Sequence, residues 1–246
     1  MAGRLTEAAA YADPRLYQAT AAVRHEPGGV LECPVCGTVA RRFLPFGLAG
    51  RRNAQCPGCG SVERHRFLWL YLRDRTDILR GRRRVLHTAP EPCIEPMLRA
   101  VHGRGYVSVD AFNPAADVRA DLRDLPLPDA SFDVLVSSHT LEHVPDDAPA
   151  LAELGRVVRP GGWAAIMVPL DPSKPTHEDP SIDTPEGRNA AFGHPFHFRI
   201  YGHDIVDRLR AAGFAAEILS TRKLLSGHLR RRFRINRNYL VRCRRL

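Results

Sequence analysis

Strand-like segments between residues 106 and 169 constrain the fold of this chain more than any other feature of its sequence. Short apolar runs separated by helical patterns are typical of parallel strands buried on both faces of an α/β sheet. The pattern predicts a Rossmann-like sheet built from βαβ units, with a first crossover helix over 91–102. The predicted strands cover 83–87, 106–110, 117–121, 132–138 and 162–169.

Asp110 stands where the second of these predicted strands ends. In βαβ nucleotide-binding units, ligands bind beyond the carboxyl ends of the strands, and an acidic residue about 20 positions after the first turn accepts hydrogen bonds from the ribose hydroxyls. Asp110 fits this position. An aspartate at the end of a strand is also a common turn former, so both roles are open at this point.

The motifs around Asp110 resemble those of class I S-adenosylmethionine-dependent methyltransferases of type 11, over about residues 83–220. The resemblance implies a seven-stranded Rossmann-like methyltransferase sheet. It also implies that adenine lies near Asp121 and Leu122, that the methionine end of the cofactor lies near the first loop, and that Ser138 lines the cofactor site. Besides Asp110, the resemblance depends on Asp121-Leu122, on FDVLVSSHTLEHV at 132–144 and on LGRVVRPGG at 154–162.

The first loop departs from the family pattern. Relatives carry an acidic residue followed by Gly-x-Gly-x-Gly, whereas this chain reads HTAPEPC over 87–93. Without the glycines, close approach of the backbone to a cofactor is restricted. His87, Ala89 and Glu91 are nevertheless expected around the methionine end. Glu91 either binds the ammonium group of the cofactor or caps the following helix, where the helix dipole also favours a negative charge.

Two copies of a short cysteine motif precede the α/β region, CPVCG at 33–37 and CPGCG at 56–60, with 19 residues between the second and third cysteines. This spacing is typical of tetrahedral zinc, and disulfides are the alternative. Four protein ligands leave no open position, so the predicted zinc is structural. A ribbon followed by an Ala-Pro-Glu-Pro loop resembles one subgroup of these methyltransferases. The predicted ligands are Cys33, Cys36, Cys56 and Cys59.

Composition and turn residues divide the chain into four regions. A helical leader is predicted over 1–29, the zinc ribbon over 30–65 and a connecting helix over 66–81. The class I methyltransferase domain is predicted over 82–246. No apolar segment is long enough for a signal peptide or a membrane span, and the cysteine spacing is of the metal-binding kind. We therefore expect a cytoplasmic protein without a membrane partner.

The segment 171–203 is long, polar and rich in proline and histidine. It follows the fifth predicted strand, where the family builds its substrate side, and long connections in compact domains are often lids. A metal site made by its histidines is less favoured, because their spacing matches no standard ligand set. Its candidates for hydrogen bonding or proton transfer are His177, Glu178, His194, His197 and Tyr201.

Methyl transfer from a sulfonium is a direct displacement, which requires an in-line nucleophile about 3–3.5 Å from the methyl carbon. A base is useful only where the acceptor must lose a proton, and a neutral imidazole suits that task near pH 7. The resemblance places His139 and His143 just beyond the fourth predicted strand, and His197 lies on the predicted lid. These three are the candidate bases, although each histidine can also have a packing role.

The formal net charge of +9 raises nucleic acid as a partner. Arginines cluster at 80–84 and along 230–245, where Phe233 and Tyr239 interleave with them and could stack bases. Lysine, however, occurs only at Lys174 and Lys223. Such a bias also arises from GC-rich coding without any functional demand, and a last strand predicted over 238–244 accounts for some of the tail arginines.

Three functions therefore compete. The favoured one is a methyltransferase acting on an oxygen or nitrogen of a small molecule, with S-adenosylmethionine as the methyl donor and structural zinc in the ribbon. The second is an RNA methyltransferase that uses the ribbon and the basic tail to bind rRNA or tRNA. The third is a non-catalytic adaptor whose altered first loop has lost the cofactor. The intact Asp110 and Asp121 disfavour the third.

Overall fold

The computed structural model describes residues 28, 30–47 and 50–246. The leader predicted over 1–29 lies outside the described residues, apart from Gly28. The strands are β1 (Leu31–Glu32), β2 (Val39–Ala40), β3 (Leu44–Phe46), β4 (Arg51–Gln55), β5 (Val85–Thr88), β6 (Tyr106–Val109), β7 (Phe132–Ser138), β8 (Val158–Met167), β9 (His177–Glu178), β10 (Arg199–Ile200), β11 (Phe214–Ser220) and β12 (Tyr239–Arg245). The α-helices are α1 (Glu63–Arg75), α2 (Glu95–His102), α3 (Asp147–Val157), α4 (Pro185–Phe192), α5 (Ile205–Ala211), α6 (Thr221–Leu224) and α7 (Gly227–Arg232).

A six-stranded mixed sheet forms the centre of the molecule, in the order β11-β12-β8-β7-β5-β6. The four strands β5 to β8 are parallel, and β12 is antiparallel to both of its neighbours. The parallel strands are almost fully buried, as expected for a sheet covered on both faces. The predicted Rossmann-like α/β architecture is confirmed.

The strand predicted over 117–121, which would make the sheet seven-stranded, is not found among the described residues. Only Val118 pairs with the sheet, through one parallel bridge to Val109. The Asp117 carboxylate instead accepts hydrogen bonds from the N–H and the hydroxyl of Ser108, both at 2.8 Å, and pairs with Arg99 at 2.9 Å. Because this side chain occupies the outer edge of β6, the chain makes one bridge there and then leaves the sheet.

Helices cover both faces of the sheet. Residues of α3 and α5, among them Leu151 and Leu209, pack against one face in a single buried cluster. Residues of α1 and α2, among them Leu68 and Leu98, pack with Val134 in the cluster on the other face. This three-layer arrangement leaves the carboxyl ends of the parallel strands as the open edge, where ligands bind in such sheets.

Helix α1 is part of the core, although the sequence predicted a connecting helix over 66–81. Its residues 65–72 are all buried and pack beneath the central strands. A helix buried around most of its circumference is typical of a core position. The four-region division of the chain remains a prediction.

Arg66, at the start of α1, is fully buried and joins distant segments. Its guanidinium donates to four backbone carbonyls at 2.6 to 3.0 Å. Two of these carbonyls belong to the cysteine-rich region and two to the segment before β12. One buried cation thus fixes the N-terminal region, α1 and the C-terminal segment to one another, and its charge is offset by directed hydrogen bonds. The four accepting residues are Ala54, Ser61, Phe233 and Arg234.

Replacement of Arg66 by Met is expected to destabilise the protein by about 3 kcal/mol, because four buried carbonyls lose their donor. In thermal unfolding followed by circular dichroism, this corresponds to a midpoint lower by roughly 10 °C. Arg73→Met is the matched control on the same helix, since Arg73 makes only an exposed pair with Asp74. Equal midpoints for the two variants would contradict the role given to Arg66.

Candidate functional site

The loop after β5 carries a buried hydrogen-bonded chain. His87 lies 2.9 Å from the Tyr106 hydroxyl through Nδ1 and 2.9 Å from Glu91 Oε2 through Nε2. Burial opposes ionisation of Glu91, but the hydrogen bond and charge of His87, with contributions from His65 and Ser138, hold its pKa at about 2. Glu91 is therefore an anion at neutral pH, inside the protein.

The second carboxylate oxygen of Glu91, Oε1, is buried, and neither it nor the Ser138 hydroxyl has a partner at hydrogen-bond geometry among the described residues, although Ser138 lies close enough to lower the pKa of Glu91. An unpaired buried anionic oxygen is costly, and it marks a place for a cationic or donor ligand. The carboxylate does not cap α2, which begins at Glu95 without any side-chain cap. Of the two roles that the sequence left open for Glu91, helix capping is wrong.

Ala89 occupies the conformation that the missing glycines would have supplied. Its φ of 43° is in the left-handed region, which is uncommon for residues other than glycine. The strain is accommodated by a hydrogen bond of 2.8 Å from its N–H to the carbonyl of Val109. The first loop therefore turns tightly at the end of β5 without glycine, and it stays attached to β6.

Asp110 directly follows β6. Its Oδ1 accepts hydrogen bonds from the N–H groups of Phe112 at 2.7 Å and Asn113 at 3.0 Å. The turn-forming role that the sequence allowed is thus present. Both bonds end on Oδ1, so Oδ2 can accept a hydroxyl of a ligand, and the two roles are compatible.

The expected adenine residues have local partners. The Asp121 carboxylate is bonded to Arg123 at 2.6 Å, and this guanidinium holds the pKa of Asp121 below its usual range. Leu122 is buried in the cluster that contains α3. Leu122 therefore has a packing role. A ligand that formed a hydrogen bond to Asp121 would share the Asp121 carboxylate with Arg123.

A second buried carboxylate lies beyond β7. His139 has a left-handed φ of 54° and its Nδ1 lies 2.9 Å from Oε1 of Glu142, which is fully buried. Burial opposes ionisation of Glu142, but the charge and hydrogen bond of His139 hold its pKa at about 2. Its other oxygen, Oε2, is buried without a partner among the described residues. Glu142 thus orients His139 as a carboxylate-histidine pair.

Three histidines pack together next to this pair. The ring centroids of His143, His194 and His197 are 4.6 to 5.6 Å apart. Burial lowers the pKa of all three, that of His197 to about 4, so the rings are neutral at pH 7. Two of the three candidate bases, His143 and His197, therefore pack together with His194. The third, His139, is bonded to Glu142.

The segment 171–203, predicted as a substrate-side loop or lid, contains β9, α4 and β10. Buried Arg199 holds it in place. This side chain donates to the carbonyls of Val144 at 2.6 Å and Pro145 at 2.7 Å, and pairs with Glu178 at 2.8 Å. The segment is thereby fixed against the turn that follows β7.

Two further candidates of this segment have structural partners. The Tyr201 hydroxyl donates to Asp147 at 2.7 Å and is fully buried. Glu178 also pairs with Arg208 at 2.5 Å. Both side chains hold the segment to α3 and α5. Their polar groups are used in these contacts.

Sequence reasoning missed Glu142 as a site residue and missed His65 altogether. Burial lowers the pKa of His65 well below its usual range, and the charge of Glu91 opposes this. Its Nδ1 lies 3.6 Å from the Sγ of Cys93. Nothing in the local sequence signals this histidine, because only the packing of α1 brings it to the first loop.

The four cysteines of the two CxxC motifs converge, and their sulfurs all lie within 4.8 Å of one another. In each motif the final glycine has a positive φ, 75° at Gly37 and 72° at Gly60. Both glycine N–H groups donate to the carbonyl of the first cysteine of their motif, at 2.8 and 3.0 Å. The N–H of Gly58, in contrast, donates to the sulfur of Cys56 at 3.3 Å.

Comparison with known proteins gives a consistent class. Residues 93–166 match the sequence profile of the family described as a methyltransferase domain. A protein of Mycolicibacterium smegmatis, named a probable S-adenosylmethionine-dependent methyltransferase, is 38% identical over 50% of this chain and 47% of its own length. The 27-O-demethylrifamycin SV methyltransferase of Amycolatopsis mediterranei is 47% identical over 19% of this chain and 17% of its own. The chain thus spans about half, or less, of these relatives' length.

Among solved structures, an S-adenosylmethionine dependent methyltransferase from Mesorhizobium loti is 21% identical, with a TM-score of 0.49, over 72% of this chain and 97% of its own. The fold assignment depends on the strand order described above and not on this similarity. In the region of these matches the chain is therefore similar to S-adenosylmethionine-dependent methyltransferases. Within the part of the chain that the structure describes, no helix combines the length and apolarity that a membrane span requires.

Proposed function

We propose that this protein is an S-adenosylmethionine-dependent methyltransferase that transfers the methyl group to an oxygen or nitrogen of a small molecule. The observation that carries this proposal is the pair of acidic groups at adjacent strand ends. Glu91 offers a buried anionic oxygen without a partner, and Asp110 offers Oδ2. The methionine ammonium and the ribose hydroxyls of the cofactor are the groups that these oxygens suit.

The remaining cofactor contacts follow from the same edge of the sheet. His87, Ala89 and Ser138 surround the methionine end in this proposal, and Asp121 and Leu122 the adenine end. When bound, the cofactor supplies an electrophilic methyl group on a sulfonium. The protein's task is then to orient the acceptor in line and to exclude water, since a direct displacement needs little covalent chemistry from side chains.

His139 is the side chain best suited to remove a proton from an acceptor. Its Nδ1 is bonded to the Glu142 carboxylate, so a proton held there leaves the lone pair on Nε2. A buried carboxylate also stabilises the imidazolium that forms when Nε2 takes a proton. An acceptor that is already deprotonated would not need this residue.

The acceptor class is supported by the surroundings of the site. The segment 171–203 is fixed against the turn that follows β7, which narrows access beside His139 and Glu142. The name of the Amycolatopsis relative specifies a small-molecule acceptor, although that match covers only 47 residues. A cytoplasmic location and membership in the zinc-ribbon subgroup are part of the same proposal.

The cofactor site is tested by calorimetric titration of S-adenosylmethionine and S-adenosylhomocysteine into Asp110→Asn. The amide retains an acceptor for the Phe112 and Asn113 N–H groups but removes the charge, so the turn is preserved while affinity falls at least about 10-fold. Asp207→Asn is the control, since Asp207 is 70% exposed and pairs only with Arg210. Unchanged affinity in Asp110→Asn would disprove the ribose assignment. No binding to the folded wild type would favour the adaptor function.

The ribbon cysteines fit structural zinc. Sulfurs of a tetrahedral zinc site with bonds of about 2.3 Å lie roughly 3.8 Å apart. The distances from Cys33 to Cys59 and from Cys36 to Cys56 are 3.6 and 3.7 Å. Four cysteines complete the coordination, so such an ion would support folding rather than chemistry.

Cys36→Ser and Cys56→Ser are each expected to lose one equivalent of zinc per chain, measured by inductively coupled plasma mass spectrometry, and to unfold at lower temperature. The control is Cys243→Ala, a buried thiol of β12 outside the cluster, which should keep its zinc. Full zinc content in the two serine variants would refute the assignment.

An RNA acceptor is the second candidate, and one surface feature favours it. Ribbon and tail arginines line one cleft of about 330 Å³, although one of them also pairs with Glu63. Convergent guanidinium groups are suited to a phosphate backbone. The arginines of the cleft are Arg51, Arg52, Arg230, Arg231 and Arg234.

If RNA is the acceptor, Arg52→Ala/Arg231→Ala should weaken binding of a structured rRNA or tRNA fragment. A plot of the logarithm of the binding constant against the logarithm of the salt concentration should also become less steep, by roughly 1.5. Arg73→Ala/Arg210→Ala removes the same charge outside the cleft and outside the arginine clusters, and serves as control. Fluorescence anisotropy at several salt concentrations gives both slopes. Equal slopes would leave the small-molecule acceptor as the sole proposal.

A further inference from the structure

Three histidines from two separate segments meet beside Glu142. His143 ends the 3-10 turn after β7, whereas His194 and His197 follow α4. One nitrogen of each ring lies within 4.8 Å of the others. Two hydrogen bonds hold the segments together, from Phe198 N–H to the Glu142 carbonyl at 2.8 Å and from His143 Nδ1 to the Phe196 carbonyl at 3.0 Å. The cluster is therefore built by the fold and does not depend on one flexible loop.

Two of the rings have the protonation pattern of metal ligands. His143 Nδ1 faces the Phe196 carbonyl, and His197 Nδ1 faces the Phe192 carbonyl at 3.3 Å. A backbone carbonyl only accepts, so both Nδ1 atoms carry the proton and both Nε2 atoms carry the lone pair. Histidines that bind metals are oriented in this way, with the distal N–H donated to a carbonyl or carboxylate.

Glu142 supplies the negative charge that a cation at this place would need. Its Oε1 lies 3.9 Å from His197 Nε2, and its Oε2 is buried without a partner among the described residues. The bond from His139 uses only Oε1. A fully buried carboxylate with an oxygen that no described residue uses, next to three imidazole rings, is a set of groups that suits a cation.

We propose that His143, His194 and His197 bind one divalent transition-metal ion of the zinc type, with Glu142 as a further ligand or as the acceptor for a metal-bound water. Imidazole donors favour zinc and its neighbours over magnesium or calcium, which prefer oxygen ligands. Nitrogens of a tetrahedral zinc lie roughly 3.4 Å apart, so the rings need to approach one another by about 1 Å. Three protein nitrogens leave room for an oxygen ligand.

His194 must change most on binding. Its Nδ1 faces the N–H of Phe196 at 3.3 Å, so this nitrogen now accepts and Nε2 holds the proton. Binding through Nε2 requires the proton on Nδ1 and a rotated ring that gives up this long contact. Substitution of His194 should therefore reduce the affinity for the metal less than substitution of His143 or His197.

The site is distinct from the cysteine ribbon, and it does not depend on the methyl transfer proposed above. Cobalt separates the two sites because four thiolates and three imidazoles give different spectra. Thiolate-to-cobalt charge transfer arises in the near ultraviolet from the ribbon alone. Weaker visible bands at shorter wavelength than those of the thiolate site come from nitrogen and oxygen ligands.

The test is zinc and cobalt binding by the full chain. Wild type is expected to bind two equivalents of zinc, counted by mass spectrometry and by competition with a chromogenic chelator. His143→Gln/His197→Gln should bind one, with the thiolate-to-cobalt band unchanged, which also shows that this variant is folded. His194→Gln should retain the second equivalent with affinity reduced about 10-fold. The control is His228→Gln, an exposed histidine outside the cluster, which should bind two.

Either of two results would overturn the proposal. One is a single equivalent of zinc in wild type that the cysteine variants remove. The other is a second equivalent that survives in His143→Gln/His197→Gln. Because neither readout uses S-adenosylmethionine, failure of cofactor binding leaves this test intact, and loss of the second metal leaves the cofactor titration intact.

Discussion

Buried charge is the constraint around which this structure is arranged. Glu91 and Glu142 lie at the ends of neighbouring parallel strands, inside the protein, and interactions with His87 and His139 hold the pKa of each carboxyl group at about 2 despite burial. His87 is bonded to one carboxylate and His139 to the other, and each carboxylate keeps one oxygen that no described residue uses. These two oxygens define where ligands are expected: a cofactor ammonium at one and a metal ion or bound water at the other.

Buried arginines hold the elements around these carboxylates. Arg66 joins the cysteine-rich region to the C-terminal segment, and Arg199 joins the segment 171–203 to the turn after β7. Both use the fixed fork of the guanidinium, whose five N–H donors can serve more acceptors at once than the three of a lysine ammonium. The arginine content suggested a nucleic-acid partner or a coding bias, yet two of these residues are internal structural ties. The arginines that line the cleft with Arg231 are candidates for contact with an anionic partner.

Much of the fold could be predicted from the sequence. The parallel strands follow from apolar runs that only a sheet covered on both faces can bury, and the cysteine spacing brought four sulfurs together as expected. The strand predicted over 117–121 does not form, because the Asp117 carboxylate accepts hydrogen bonds from Ser108 at the edge of the sheet. No local sequence pattern reveals this contact. The core position of α1 could not be predicted from its sequence, since charged residues occupy both of its ends and its burial depends on contacts with distant strands.

The sequence by itself determined the class of fold, the positions of Asp110 and Glu91 at the strand ends, and the cysteine cluster, because these depend on short-range spacing. Tertiary structure decided which groups are left unsatisfied and which side chains meet. The histidine spacing seemed unsuited to a metal, yet His143 and His197 come together because segments 53 residues apart are hydrogen-bonded to each other. Local sequence patterns reflect the periodicity of helices and strands, whereas burial, protonation and convergence depend on contacts between residues distant in the chain.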